Sequence, residues 1–151
     1  MRRQFGDAEH ARFKLWIGGH DVIFTRPIFQ PIDENFIATH VQDGPLWDAL
    51  TQLLERARPH SFLRRYLEKP APWSGYLNMY IMRAEWFCEY MDAIMPPLLE
   101  LDRQFPNAPG RIWGFMSERL LGAFLIHKIL EQPLFRYSAI PHIMFSPEVC
   151  S

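Results

Sequence analysis

Apolar positions along this chain follow two different periods, and the breaks between them fall at proline and glycine. Residues 7–17 carry the spacing of a short amphipathic helix, closed by Gly18-Gly19. Residues 20–25, with the apolar Val22-Ile23-Phe24 at their centre, predict a buried strand stopped by Pro27. The stretch 26–40 holds Pro27, Pro31 and the polar Asp33-Glu34-Asn35, and predicts a long irregular loop of the kind that usually serves a function. Asp43 is placed to cap a helix with Pro45 in its first turn, and Leu46, Trp47, Leu50, Leu53 and Leu54 then recur at helical spacing up to Arg58. Pro59 opens a second short helix carrying Phe62, Leu63, Tyr66 and Leu67, and 70–75 reads as a linker before a strand at 76–82.

The second half is mostly helical. Residues 84–105 keep a helical stripe through Trp86, Phe87, Tyr90, Met91, Ile94, Leu98 and Leu101, and Pro96-Pro97 are expected to kink or interrupt it. A short apolar run then breaks at Gly114, and Ser117 is expected to open a helix reaching about Glu131. Such a strand-to-helix junction would aim Glu118 and Arg119 into a bordering cleft. It would also put free backbone N–H groups and the positive helix end there, which suits a phosphorylated or otherwise anionic ligand. A last strand is expected near 135–140. The order predicts an α/β domain with a small mixed sheet and a predominant helical layer, and the sheet looks thin for so many helices.

Composition narrows the class. The chain has 151 residues, enough for one domain with a real core, and 48% hydrophobic with 22% charged residues marks a folded globular chain. Sixteen basic and 17 acidic residues leave a net charge of −1, which gives no reason to expect nucleic-acid binding. Neither Cys88 nor Cys150 lies in a CxxC pair, so both are expected as reduced thiols in a cytoplasmic protein. No signal-like segment follows Met1 and no run of about 18 apolar residues occurs; peripheral attachment at the inner membrane stays open. There is no DxD, no zinc-like histidine spacing, no Walker A loop and no GxGxxG, so no metal site is assigned.

From Asn78 onward the sequence becomes specific. NMYIMRAEWFCEYMDAIMPPLLELDRQF (78–105) and RIWGFMSERLLGAFLIHK (111–128) resemble the C-terminal half of the DUF4422 family. These are bacterial glycosyltransferase-like proteins of capsular and exopolysaccharide synthesis, related to the GT-A fold. HDVIFTRP (20–27), ENFIATHVQD (34–43) and ALTQLLERARPHSF (49–62) are similar to upstream family segments. Met1-Arg2-Arg3-Gln4-Phe5 resembles the family's HYRRyF motif without its first residues. The resemblance thus spans nearly the whole chain and about the latter two-thirds of a family domain. It implies an incomplete GT-A-like α/β domain, single over 1–151, lacking the N-terminal segment that supplies the first strands and much of the donor pocket.

The resemblance also assigns roles. Glu118, in the Ser-Glu-Arg tripeptide, would take the acceptor proton in an inverting transfer; a glutamate in a first helical turn is equally served by capping and the helix dipole. Arg119 would neutralise a diphosphate or pair with Glu118. Arg2 and Arg3 would clamp donor phosphates, or form a frayed basic terminus. His40 would orient a donor or acceptor hydroxyl, or be an ordinary polar or core residue. Asn78 sits in an apolar strand where an unpaired amide is costly, so it satisfies backbone or reaches a ligand. Asp21, opening a strand, is the position a GT-A metal carboxylate would suggest. The implied partners are a nucleotide-sugar, with Mn or Mg as its companion ion, and a polysaccharide acceptor. The alternative is a non-catalytic truncated remnant acting as a helical packing or oligomerisation module, possible as a homo-oligomer because unpaired sheet leaves apolar surface open.

Overall fold

The structure, a computed structural model, describes residues 6–25, 44–57, 62–67 and 80–141. In chain order the elements are α1 (Asp7–Gly18), β1 (Val22–Thr25), α2 (Gly44–Ala57), α3 (Phe62–Leu67), β2 (Tyr80–Met82), α4 (Ala84–Gln104), α5 (Arg111–Glu131) and β3 (Tyr137–Ile140). This is the expected α/β order of many helices around a small mixed sheet. Asp43, Pro59, residues 26–40 and 76–79 lie outside the described residues.

β1 is the central strand, antiparallel to β2 and parallel to β3. All four of its residues are buried, as its continuous apolar run requires. Alternation along β1 sends Val22 and Phe24 into the core shared with the helices. Ile23 points to the other face; it is itself buried, but its cross-strand partner Ile81 is 44% exposed and Ile140 is 38% exposed. Among the described residues, the apolar stripes of α2 to α5 gather on the Val22–Phe24 face.

The helices earn their places by periodicity. In α2, Leu46, Trp47, Leu50 and Leu54 are buried, and in α4 so are Tyr90, Ile94, Leu98 and Leu101. Each such side chain contributes about 1.5–3 kcal/mol on burial. That sum explains why the prolines do not interrupt α4, one of the two outcomes expected of them: it runs from Ala84 to Gln104 with Pro96 and Pro97 inside it. The residues buried on both sides of the prolines outweigh a cost of about 3 kcal/mol for an interior proline. The short α3 packs mainly on α5, where the Tyr66 hydroxyl donates to Glu131 at 2.7 Å and Arg65 pairs with the same carboxylate at 3.2 Å. His127 sits 5.8 Å from the Tyr66 ring, and burial followed by the Lys128 charge lowers its pKa.

Lys128 lies within an apolar helix stretch and is only 2% exposed. Its ammonium is paired with Glu89 of α4 and lies 4.5 Å from the Trp86 ring centre and 5.3 Å from that of Phe124. A buried charge tolerates such a place only when it is paired.

Asp21, just before β1, ties the strand ends together. Its carboxylate accepts the Arg136 backbone N–H at 2.8 Å and pairs with the Arg83 guanidinium at 3.0 Å. The Asp21 N–H donates to the Arg136 carbonyl at 2.7 Å, and the Asp21 carbonyl accepts from the Arg83 N–H at 3.0 Å. Arg83 also reaches the carbonyls of His20 and Gly18, at 3.2 and 3.1 Å. Burial alone would raise the Asp21 pKa; the Arg136 backbone bond and the charges of Arg136 and Arg83 outweigh it and hold it below the ordinary 3.8. The stabilisation is therefore present above that ordinary value and is lost as pH falls through the lower folded value. Asp21→Asn is expected to cost about 2 kcal/mol at neutral pH, read from urea midpoints, and the gap to the unmodified chain should narrow as the pH falls below the ordinary carboxylate value of 3.8.

Candidate functional site

The Ser117-Glu118-Arg119 tripeptide lies inside a helix, which corrects the expected strand-to-helix junction. α5 begins at Arg111, with Gly110 as its N-cap and the Ile112 N–H donating to the Pro109 carbonyl at 2.8 Å. The apolar run before Ser117 is helical because Ile112, Met116 and Leu120 fall on one buried face at a spacing of four. Gly114 does not break the helix. Nothing lies within 4 Å of where its Cβ would stand, and the Ser117 hydroxyl donates back to its carbonyl at 2.8 Å. Glu118 consequently sits about two turns into the helix, away from the free N–H groups. The anion-binding argument built on a helix start does not apply to it.

What the helix does instead is set two charges side by side in a largely dry place. Arg119 is 3% exposed and the Glu118 side chain 15%, and Arg119 Nη1 lies 3.0 Å from Glu118 Oε2. The same nitrogen donates to the Phe115 carbonyl at 3.3 Å. Of the two roles weighed for Arg119, the geometry shows pairing with Glu118.

Tyr90 of α4 closes this region from the other side. Its hydroxyl donates to the Ser117 carbonyl at 2.8 Å, and its ring packs edge-on against Tyr80 and tilted against Phe124. Burial, with the neighbouring Tyr80 and the Glu118 charge behind it, pushes the Tyr90 phenol far above its usual value. Tyr90 is thus a neutral donor that holds the α4–α5 spacing. Beside it runs a groove of about 560 Å³, walled by Tyr80, Tyr90, Met91, Trp113, Gly114 and Ser117. The floor is apolar and aromatic, and Gly114 contributes an open stretch of backbone.

Arg2, Arg3, His40 and Asn78 lie outside the described residues, so the structure brings together only Glu118 and Arg119 of the six candidates. Tyr90 and Lys128 are polar contributors that a reading of periodicity misses. Tyr90 was countable only as a core position, whereas Lys128 gave a signal: a lone cation between Ile126 and Leu130 on an apolar helix needs a buried partner. Metal binding finds no support in these groups. Asp21 is held by two arginines, and among the described residues no three His, Cys, Asp or Glu side chains gather where an ion could sit. The described residues therefore do not fit a divalent ion.

No described helix is long and apolar enough to cross a membrane. Compared with protein-family models, with curated proteins and with solved structures, the chain finds no match in any of the three.

The Glu118–Arg119 pair makes a stability forecast. Glu118→Gln removes the charge paired with the buried Arg119 guanidinium and should cost about 3 kcal/mol, measured by chemical denaturation. The double replacement Glu118→Gln, Arg119→Met removes the second charge as well and should recover most of the loss; a double variant less stable than the single one would show that the pair is not the source.

Proposed function

We propose that this chain is a glycosyltransferase-like domain that moves a sugar from a nucleotide-sugar donor onto a growing surface polysaccharide, with Glu118 as the base. The single observation supporting it is the held carboxylate: Glu118 is mostly buried and oriented by Arg119 at 3.0 Å. It lies next in sequence to Ser117, which lines the aromatic groove. The family resemblance supplies the reaction class. An ionised carboxylate only accepts hydrogen bonds, so Glu118 would receive one from the acceptor hydroxyl and take its proton as that oxygen attacks the anomeric carbon. The new C–O bond forms as the old one breaks, and the nucleoside diphosphate leaves with the electron pair. Arg119 acts through Glu118 and is a positioning residue. Arg2, Arg3, His40 and Asn78 enter this reading on the resemblance alone, as phosphate and hydroxyl contacts.

A second reading, a non-catalytic packing or oligomerisation module, draws on a different observation. The outer sheet face carries Ile81 and Ile140 at 44% and 38% exposure, where an α/β sheet with a parallel pair is ordinarily covered on both sides.

A thermal-shift titration with UDP-, GDP-, dTDP- and CMP-sugars, with and without manganese, separates the two. The transferase reading expects saturable stabilisation by one nucleotide class, about 2.7 kcal/mol at a hundredfold excess over Kd. Glu118→Gln should then keep the shift, measured from its own baseline, and lose transfer by a factor of about 100 or more. A cooperative melt that no donor moves would overturn donor binding by this chain and leave the packing module.

A further inference from the structure

α1 is tied at its last turn by Arg83 but has no packed face. It has twelve residues and none of them is buried. Helices of this length are marginal in water unless an apolar face is packed. Its own reinforcement is slight: Glu9 accepts the Gly6 N–H at 2.9 Å, and His20 contacts the Trp16 carbonyl at 2.7 Å. Meanwhile Phe13 is 52% exposed and Trp16 36%, with their ring centres 6.0 Å apart. At 3.6 residues per turn, Glu9, Arg12, Phe13 and Trp16 share one face, whereas Lys14 lies on the opposite side. A hollow of about 520 Å³ lies along that face, lined by Glu9, His10, Arg12, Phe13 and Trp16.

We propose that this face pairs with the same face of a second copy of the chain, the two α1 helices running antiparallel about a twofold axis. The argument for a second copy is charge. Glu9 and Arg12 stand one turn apart on the face, so an antiparallel pair brings the Glu9 of each copy towards the Arg12 of the other. A parallel pair would set like against like. A twofold interface requires such self-complementarity, and the antiparallel helix dipoles add to it. The rings of Phe13 and Trp16 fill the centre of the contact, and the exposed residues of α1 become the buried face that a short helix needs. This inference is independent of the transferase reading and survives its failure.

Sedimentation velocity on the full chain over a range of concentrations tests it. The unmodified chain should form a dimer, and Phe13→Asp should raise its dissociation constant at least tenfold, while Lys14→Gln leaves it unchanged. Should Phe13→Asp lose its cooperative melt, the charge series decides. Arg12→Glu alone should weaken the dimer, and Glu9→Arg with Arg12→Glu should restore it by exchanging the signs. A chain that stays monomeric throughout overturns the proposal. A dimer indifferent to both Phe13→Asp and Arg12→Glu overturns it equally.

Discussion

The carboxylate of Asp21 is the point from which the sheet is organised. One side chain, 14% exposed, is shared between Arg83, which follows β2, and Arg136, which precedes β3, while its own backbone bonds both neighbours. Three strands of three or four residues have few ladder hydrogen bonds among them. Their alignment therefore depends heavily on where they begin. A strand shifted by one residue would turn Val22 and Phe24 away from the helices, so the ionic knot at the strand ends and the apolar core specify the same register. Arg83 extends the knot to the last turn of α1 through the Gly18 carbonyl, which anchors the end of a helix that is otherwise exposed.

Much of this architecture is legible in the sequence because burial and periodicity coincide. Leu46, Trp47, Leu50 and Leu54 announce α2, and the run from Val22 to Thr25 announces a buried strand. Where helices continue through residues that ordinarily end them, tertiary packing dominates local propensity. Pro96-Pro97 and Gly114 are strong local breakers, yet both lie in helices whose neighbouring residues are buried on a regular face. Packing free energy exceeds the propensity penalty there, and no single-residue rule contains that comparison.

The candidate site was legible in a different sense. Glu118 and Arg119 stood out through their resemblance to a family motif, and adjacent opposite charges on a helix invite a pairing hypothesis. Their burial could not be read, because Arg119 neighbours Leu120 and Leu121 on a helix that is apolar nearly all round, where no polar stripe marks the outside. The structure changes the physical basis of the site: a carboxylate oriented by a guanidinium, rather than one poised at a helix end.

Lys128 carries a consequence for how α4 and α5 can be aligned. Aliphatic stripes are forgiving, and two such helices could slide past each other by a turn, about 5.4 Å, and still exchange one set of leucines for another. A one-turn slip would set Glu85 or Asp92 in place of Glu89, but it would take the ammonium off the Trp86 ring. The buried cation thus acts as a key cut for one position, and the tyrosine, serine and glutamate further along the same helices inherit their spacing from it.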